Sequence, residues 1–295
     1  MNTLVARCLP LCPLVLPFLA LCTSVRAQEP TTRAFEPEKV VNGSFGVDFT
    51  TAYYFRGILQ ENQGVISQPW VELGYNLFTA DGDDTLKNVD LAFGLWNSLH
   101  DGPTGGAGGI WYESDFYATL TAGFSEHLTL GTTYTAYTSP NDSFGTVQEL
   151  AFSVSLDDSD LWGGSFSLKP SFLFAFELTG QADAGSGRGK YAQFGIEPSF
   201  AAGQLGGQPI TISVPVTVGL SLKDYYEFGT GNDETLGYVD VGLVVSSPLH
   251  FLPSRMGPWG ASFGVHALML GDTNEALNND EGTEVIASFG LSTTF

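Results

Sequence analysis

Nine charged side chains fall where they could line one surface of this chain: Asp48, Arg56, Glu72, Asp90, Asp115, Glu149, Lys169, Glu197 and Asp240. Each sits in or beside a run of alternating apolar and polar residues, in the polar row. Acids dominate, with Arg56 and Lys169 as the main bases. Carboxylates grouped around a passage raise the local cation concentration, and low-dielectric walls focus their field. The same acids could instead pair with Arg56 and Lys169, or hold water, to satisfy a polar interior. The two readings are compatible. Arg56 itself has two readings. It could line an outer mouth, or it could bridge to Glu72 or Glu284, on the two strands that would flank its own.

Hydrolytic chemistry finds less support. His100–Asp101 falls in a connecting segment, and His266 shares a polar row with Ser262, but neither has a third partner at a fixed spacing. The acidic run from Asp272, D-T-N-E-A-L-N-N-D-E, lacks the glycine at position six of a calcium-binding EF-hand loop. G-S-G-R-G at 185–189 follows no strand-to-helix unit, so it is not a phosphate loop. No catalytic residue, metal site or cofactor is expected.

Residues 1–27 read as a secretory signal. Arg7 opens it, an apolar run through L-P-F-L-A-L-C follows, and V-R-A precedes Gln28. All three cysteines (Cys8, Cys12, Cys22) lie in that leader, and Leu21 is too large to precede a lipidated cysteine. The mature chain then has no disulfide or thiolate chemistry. Cleavage removes Arg7 and Arg26 but no acid, so the net charge moves from −21 to −23. That charge repels nucleic acid. With 43% hydrophobic residues the chain is nonetheless no disordered acidic tail. No apolar stretch after the leader reaches the roughly 18 residues of a membrane helix.

The apolar groups are instead spread on a period of two. In the opening segment, residues 41–56, Val41, Phe45, Val47, Phe49, Tyr53 and Phe55 alternate with Asn42, Ser44, Asp48, Thr50, Tyr54 and Arg56. The closing segment alternates too: Val285, Ala287, Phe289, Leu291, Thr293 and the terminal Phe295 oppose Glu284, Ser288, Gly290, Ser292 and Thr294. Ten similar segments lie between, separated by turn-rich pieces such as D-G-P-T-G-G and G-T-G-N-D-E-T. Each is close to the ~9–11 residues of a tilted transmembrane strand. Pro170, Pro198 and Pro215 fall inside three of them and are read as bulges or displaced strand ends. In a soluble sandwich the second row would carry Lys and Glu. Here it is mostly Gly, Ser, Thr and Ala with scattered acids, which suits a barrel interior, while the Phe-rich row suits lipid.

T-T-A-Y-Y-F-R-G-I-L-Q at residues 50–60 resembles the opening strand of the TorF-like family of outer-membrane porins, roughly S-x-Y-x-F-R-G-x-S-Q. G-L-W-N-S-L at 94–99 is similar to that family's G-x-W-x-S segment. Leu59 stands where many members carry a small polar residue. The resemblance implies an outer-membrane barrel that forms a pore, and it brings no catalytic residues.

The expected architecture is an all-β, antiparallel transmembrane barrel of 12 strands, with 10 or 14 as alternatives. It would comprise the leader 1–27, a periplasmic lead-in 28–39 and the barrel 40–295. An even strand count puts both termini on one side, so residues near 58–66, 101–109, 138–146, 179–190, 223–235 and 271–283 would face outward. Tyr53, Phe55, Trp70 and Tyr112 would sit near the outer interface, and Trp259, Phe289 and Phe295 near the inner one. The expected function is passive, cation-preferring passage of small solutes. The alternatives are a structural or adhesive barrel with a plugged lumen and an outer-membrane hydrolase. Expected partners are outer-membrane lipid, lipopolysaccharide and small solutes or cations, and no nucleic acid.

Overall fold

A computed structural model describes residues 40–80, 84–106, 108–162, 166–183, 185, 187–227 and 233–295. The leader 1–27 and the lead-in 28–39 lie outside the described residues. Alternation produces strands almost throughout. They are β1 Val41–Thr50, β2 Tyr53–Phe55, β3 Ile58–Glu61, β4 Ile66–Thr79, β5 Leu86–His100, β6 Trp111–Phe124, β7 Leu128–Thr138, β8 Val147–Leu156 and β9 Phe166–Ser167. They continue as β10 Ser171–Thr179, β11 Lys190–Ile196, β12 Ser199–Leu205, β13 Gln208–Ser213, β14 Val216–Lys223, β15 Leu236–Pro248, β16 Gly260–Leu270 and β17 Thr283–Thr294. Among the described residues one short α-helix, α1 Asp272–Leu277, lies before β17.

Twelve strands close an antiparallel barrel: β1, β4, β5, β6, β7, β8, β10, β11, β14, β15, β16, β17 and back to β1. Closure gives each of these twelve strands a paired neighbour on both sides. The seam is β1 against β17, with Ser44 opposite Thr294 and Thr50 opposite Ser288. The terminal residue completes it: Phe295 N–H donates to the Gly43 carbonyl at 2.9 Å, and Gly43 N–H to the Phe295 carbonyl at 3.1 Å.

The three prolines break strands without bulging them. Pro170 separates β9 from β10, Pro198 separates β11 from β12, and Pro215 separates β13 from β14. Register is the same on both sides of each break. Ser167 faces Ser199 before the first and Ser171 faces Gly195 after it. Ser199 faces Ser213 and Ile196 faces Val216, while Ser213 faces Val244 and Val216 faces Val241. A bulge would insert a residue and shift the pairing. A proline only removes one donor from the ladder, which is what happens here.

The two faces separate as the alternation predicts. Phe45, Phe49, Leu73, Phe93, Phe116, Phe152, Phe194, Leu243 and Phe263 are exposed on the outside. Ser44, Asp48, Glu72, Asp90, Thr119, Thr133, Asp240, Ser262 and Ser288 are buried inside. So continuous an apolar belt needs hydrocarbon beside it. At the inner rim Trp259, Phe45 and Phe295 cluster, with ring centroids 5.6 and 6.3 Å apart. Phe289 lies higher, opposite Phe49 and Phe263 in mid-belt, rather than at that rim.

The expected outer girdle is corrected. Tyr53, Phe55 and Tyr112 are buried inside, and Trp70 packs against the same interior cluster. The first transmembrane strand ends at Thr50, not Arg56. Beyond it the chain leaves the wall, and among the described residues β2 and β3 pair only with each other.

The belt makes a prediction. Phe152→Arg, in mid-strand on the outer face, should cost about 2–4 kcal/mol of barrel stability in a bilayer. Thr133→Ala, on the inner face, should cost far less. Reversible unfolding from lipid vesicles measures both, and equal costs would contradict the assignment of faces.

Candidate functional site

The site is the lumen. Twelve strands enclose more space than the eight that wall side chains can fill. Here the chain fills the outer half with a hairpin of its own. β2 and β3 are joined by the two-residue turn Arg56–Gly57, with Phe55 opposite Ile58. Arg56 has φ +50° and Gly57 φ +82°, as a type I′ turn requires at both central positions. Asn-Gly is the easy choice for that turn. An arginine there costs ~1 kcal/mol or more of backbone strain, so the side chain it delivers has to repay the placement.

That side chain crosses the barrel. Arg56 Nη1 donates to Glu149 Oε2 at 2.6 Å and Nη2 donates to Oε1 at 2.7 Å, a bidentate pair in which the guanidinium is fully buried. Glu149 stands on β8, five strands from β1 in one direction and seven in the other. The expected partners Glu72 and Glu284 are on β4 and β17, immediately beside β1. The hairpin spans the lumen instead, so Arg56 meets the far wall. Nη1 also donates to Tyr225 Oη at 2.7 Å, and Tyr137 Oη donates to Glu149 Oε1 at 3.2 Å. The guanidinium carbon lies 4.0 Å from the Tyr191 ring centroid, 5.2 Å from Phe55 and 5.3 Å from Tyr225.

Other side chains tie the hairpin on every side. Tyr53 Oη donates to Glu113 Oε2 at 2.8 Å, and Tyr54 Oη donates to Asn278 Oδ1 at 3.1 Å. Tyr226 Oη donates to the Arg56 carbonyl at 2.9 Å, and Tyr112 Oη bonds Gln60. At the outer end, Glu61 accepts Thr104 N–H and Oγ1–H, both at 2.8 Å, and the N–H groups of Gln63 and Asn62. Burial alone would raise the Glu61 carboxyl, but these donors outweigh it and hold it below its ordinary value.

Seven of the nine expected residues face the interior and are buried: Asp48, Arg56, Glu72, Asp90, Asp115, Glu149 and Asp240. They do not form one ring. Asp90 lies near the inner end, bonded by Asn76 at 2.7 Å and by Asn88. Glu72 accepts Tyr117 Oη at 2.9 Å lower in the barrel, whereas Asp115 and Glu149 belong to the outer half. Glu197 and Lys169 are only half-buried, at the proline breaks. Lys169 has φ +45°, and its N–H donates to Asp158 in the adjoining turn.

The histidines have closer partners than their spacing suggested. His266 Nδ1 lies 2.9 Å from Asp240 Oδ2, both fully buried. His100 Nε2 lies 2.7 Å from Ser98 Oγ, and its Nδ1 lies 2.6 Å from Thr104 Oγ1. Thr104 has one hydroxyl proton, and the Glu61 carboxylate takes it. Thr104 therefore accepts from His100 Nδ1–H, which leaves Nε2 to accept the Ser98 hydroxyl. Ser98, Glu113, Tyr191, Tyr225 and Tyr226 are buried interior residues absent from the sequence expectation. The consecutive aromatics Tyr53, Tyr54 and Phe55 place a large ring in the polar row at Tyr54, and with the following Arg-Gly this was the one local hint of a turn.

Two outcomes follow from these tethers. A β-carbon on Gly57 would lie 2.6 Å from Asn274 Nδ2 and 3.1 Å from Tyr238, at a φ unfavourable to it. Gly57→Ala should therefore loosen the hairpin while the wall persists. Trypsin reads this directly, because Arg56 is the only Lys or Arg between residues 40 and 86. Wild type should resist cleavage there and the variant should not. The Glu61 anchor gives a pH dependence. A carboxyl with a lowered folded pKa contributes stability above its unfolded value and loses it as pH falls through the folded one. Hydrogen exchange at 58–63 should rise only below the ordinary carboxylate range, and Glu61→Gln should remove that step.

No family model matches the chain, and no curated protein matches it. Fold comparison returns outer-membrane barrels at low identity. An outer membrane channel from Pseudomonas putida F1 is 12% identical, over 90% of this chain and 99% of that one, with a TM-score of 0.48. The NanC porin is 10% identical over 86% and 98%, with a TM-score of 0.41. LpxR from Salmonella typhimurium is 11% identical over 85% and 99%, also at 0.41.

Proposed function

We propose that this chain is an outer-membrane, porin-like protein that passes small solutes passively and prefers cations, with the hairpin Tyr53–Glu61 narrowing its outer half. The observation that carries the reading is the charge of the interior. Among the described residues the buried acids on the wall strands are Asp48, Glu72, Asp90, Glu113, Asp115, Glu149, Glu177 and Asp240, and the one buried Lys or Arg is Arg56. Arg56 is already committed to Glu149. A wall of this sign attracts cations and repels anions. Its spread over several levels suits a graded path better than a single filter. The exposed apolar belt supports a membrane setting, and the secretory leader supports the outer one. The porin resemblance at 50–60 and 94–99 points the same way.

A second reading rests on the hairpin itself, which would make the chain a plugged structural barrel. Planar bilayers under a salt gradient separate the two. Wild type should show small conductance with a cation-selective reversal potential, and high salt should mask the preference by screening. Arg56→Ala should raise the conductance, because a bidentate tether to the far wall is gone. Anion selectivity, or silence from both proteins, would refute the pore.

A further inference from the structure

The surroundings of Arg56 have the composition of a ligand site. Glu149 on β8 presents both carboxylate oxygens to one planar cation, at 2.6 and 2.7 Å. Tyr225 accepts from the same head at 2.7 Å, and Tyr137 on β7 steadies the carboxylate at 3.2 Å. The Tyr191 ring from β11 lies 4.0 Å away, close enough for its negative π-face to attract the cation. These four residues come from three wall strands and the segment after β14. The cation comes from a fifth element, a hairpin that among the described residues pairs only with itself.

The contacts are selective within the guanidinium. Its two terminal nitrogens make every hydrogen bond, while the buried Nε meets no partner among the described residues. What the pocket reads is the NH2–C–NH2 fork, which a carboxylate matches two-to-two and an ammonium cannot. The stem is read by nothing polar. Its placement also requires the arginine to hold a positive φ.

We propose that Glu149, Tyr137, Tyr191 and Tyr225 form a binding site for alkyl-guanidinium or amidinium solutes, which Arg56 occupies as an internal surrogate ligand. This rests on the reading of the chain as a cation-preferring pore and names a solute class for it. The hairpin and an incoming solute compete for one carboxylate, so solute binding and hairpin displacement are one event.

The test vacates the site and offers it a substitute. The Arg56→Ala chain, folded in detergent, is titrated with methylguanidinium, and its thermal unfolding is followed by intrinsic fluorescence. A saturable rise in the unfolding midpoint is expected. Wild type, whose site is filled, should show none. Urea, planar but neutral, and methylammonium, charged but without the fork, should not reproduce it. Adding Glu149→Gln should weaken the binding about tenfold or more. No saturable shift, or an equal shift from methylammonium, would overturn the proposal. If Arg56→Ala does not fold, Arg56→Lys serves. Its ammonium cannot fill the fork, so methylguanidinium should displace the hairpin and speed tryptic cleavage at position 56. Unchanged cleavage would overturn the proposal equally. Neither readout uses conductance, so the fate of the binding site and that of the pore are decided separately.

Discussion

A fully buried guanidinium fixes much of this molecule. Moving Arg56 out of water carries a desolvation cost of several kcal/mol, which only a well-shaped anionic partner can offset. Glu149 supplies that partner from nearly the opposite wall. To reach it the chain must leave β1 at Thr50, cross the lumen and reverse within two residues. The strained type I′ turn, the tyrosines around the head and the filling of the outer lumen all follow from that demand. The tyrosine bonds and the Glu61 anchor tie the hairpin further, because among the described residues it shares no strand pairing with the wall.

The barrel inverts the usual arrangement of a folded chain. Apolar side chains face outward, so hydrophobic burial depends on surrounding lipid rather than on a core. The interior is polar and must be satisfied by hydrogen bonding. Tyrosine suits this task because it combines a large apolar ring with one hydroxyl. Tyr191 Oη donates to Gln193 Oε1 at 2.7 Å, and Tyr238 Oη lies 2.9 Å from Tyr191 Oη and 3.1 Å from Gln193 Oε1, where its single proton can serve either. Interior glycines make room for such rings. A β-carbon on Gly219 would lie 2.1 Å from the Tyr238 ring, and one on Gly242 would lie 2.4 Å from His266. The proline breaks belong to the same economy, since each drops one ladder bond and leaves register, and hence the facing of every side chain, intact.

The sequence by itself determined the wall. Alternation is a local, period-two property, and a one-residue slip would turn every Phe inward. Strand number, the inner and outer rows, the closing role of Phe295 and the inward placement of Asp48, Glu72, Asp90, Asp115 and Asp240 were therefore legible. Only the tertiary structure decided what fills the wall. Arg56 and Glu149 are 93 residues apart, and their meeting depends on closure and on where the first strand stops. The Tyr53–Phe55 stretch satisfies the alternation well enough to pass for strand, and the local pattern does not say that the chain has left the sheet. His266 meets Asp240 through the lateral pairing of β15 and β16, which a linear spacing does not encode, whereas His100 and Ser98 share one face of β5. Side-chain direction is set by nearest neighbours and can be read along the chain. Contacts across a lumen are set by the closed shape, and they exist only once the barrel does.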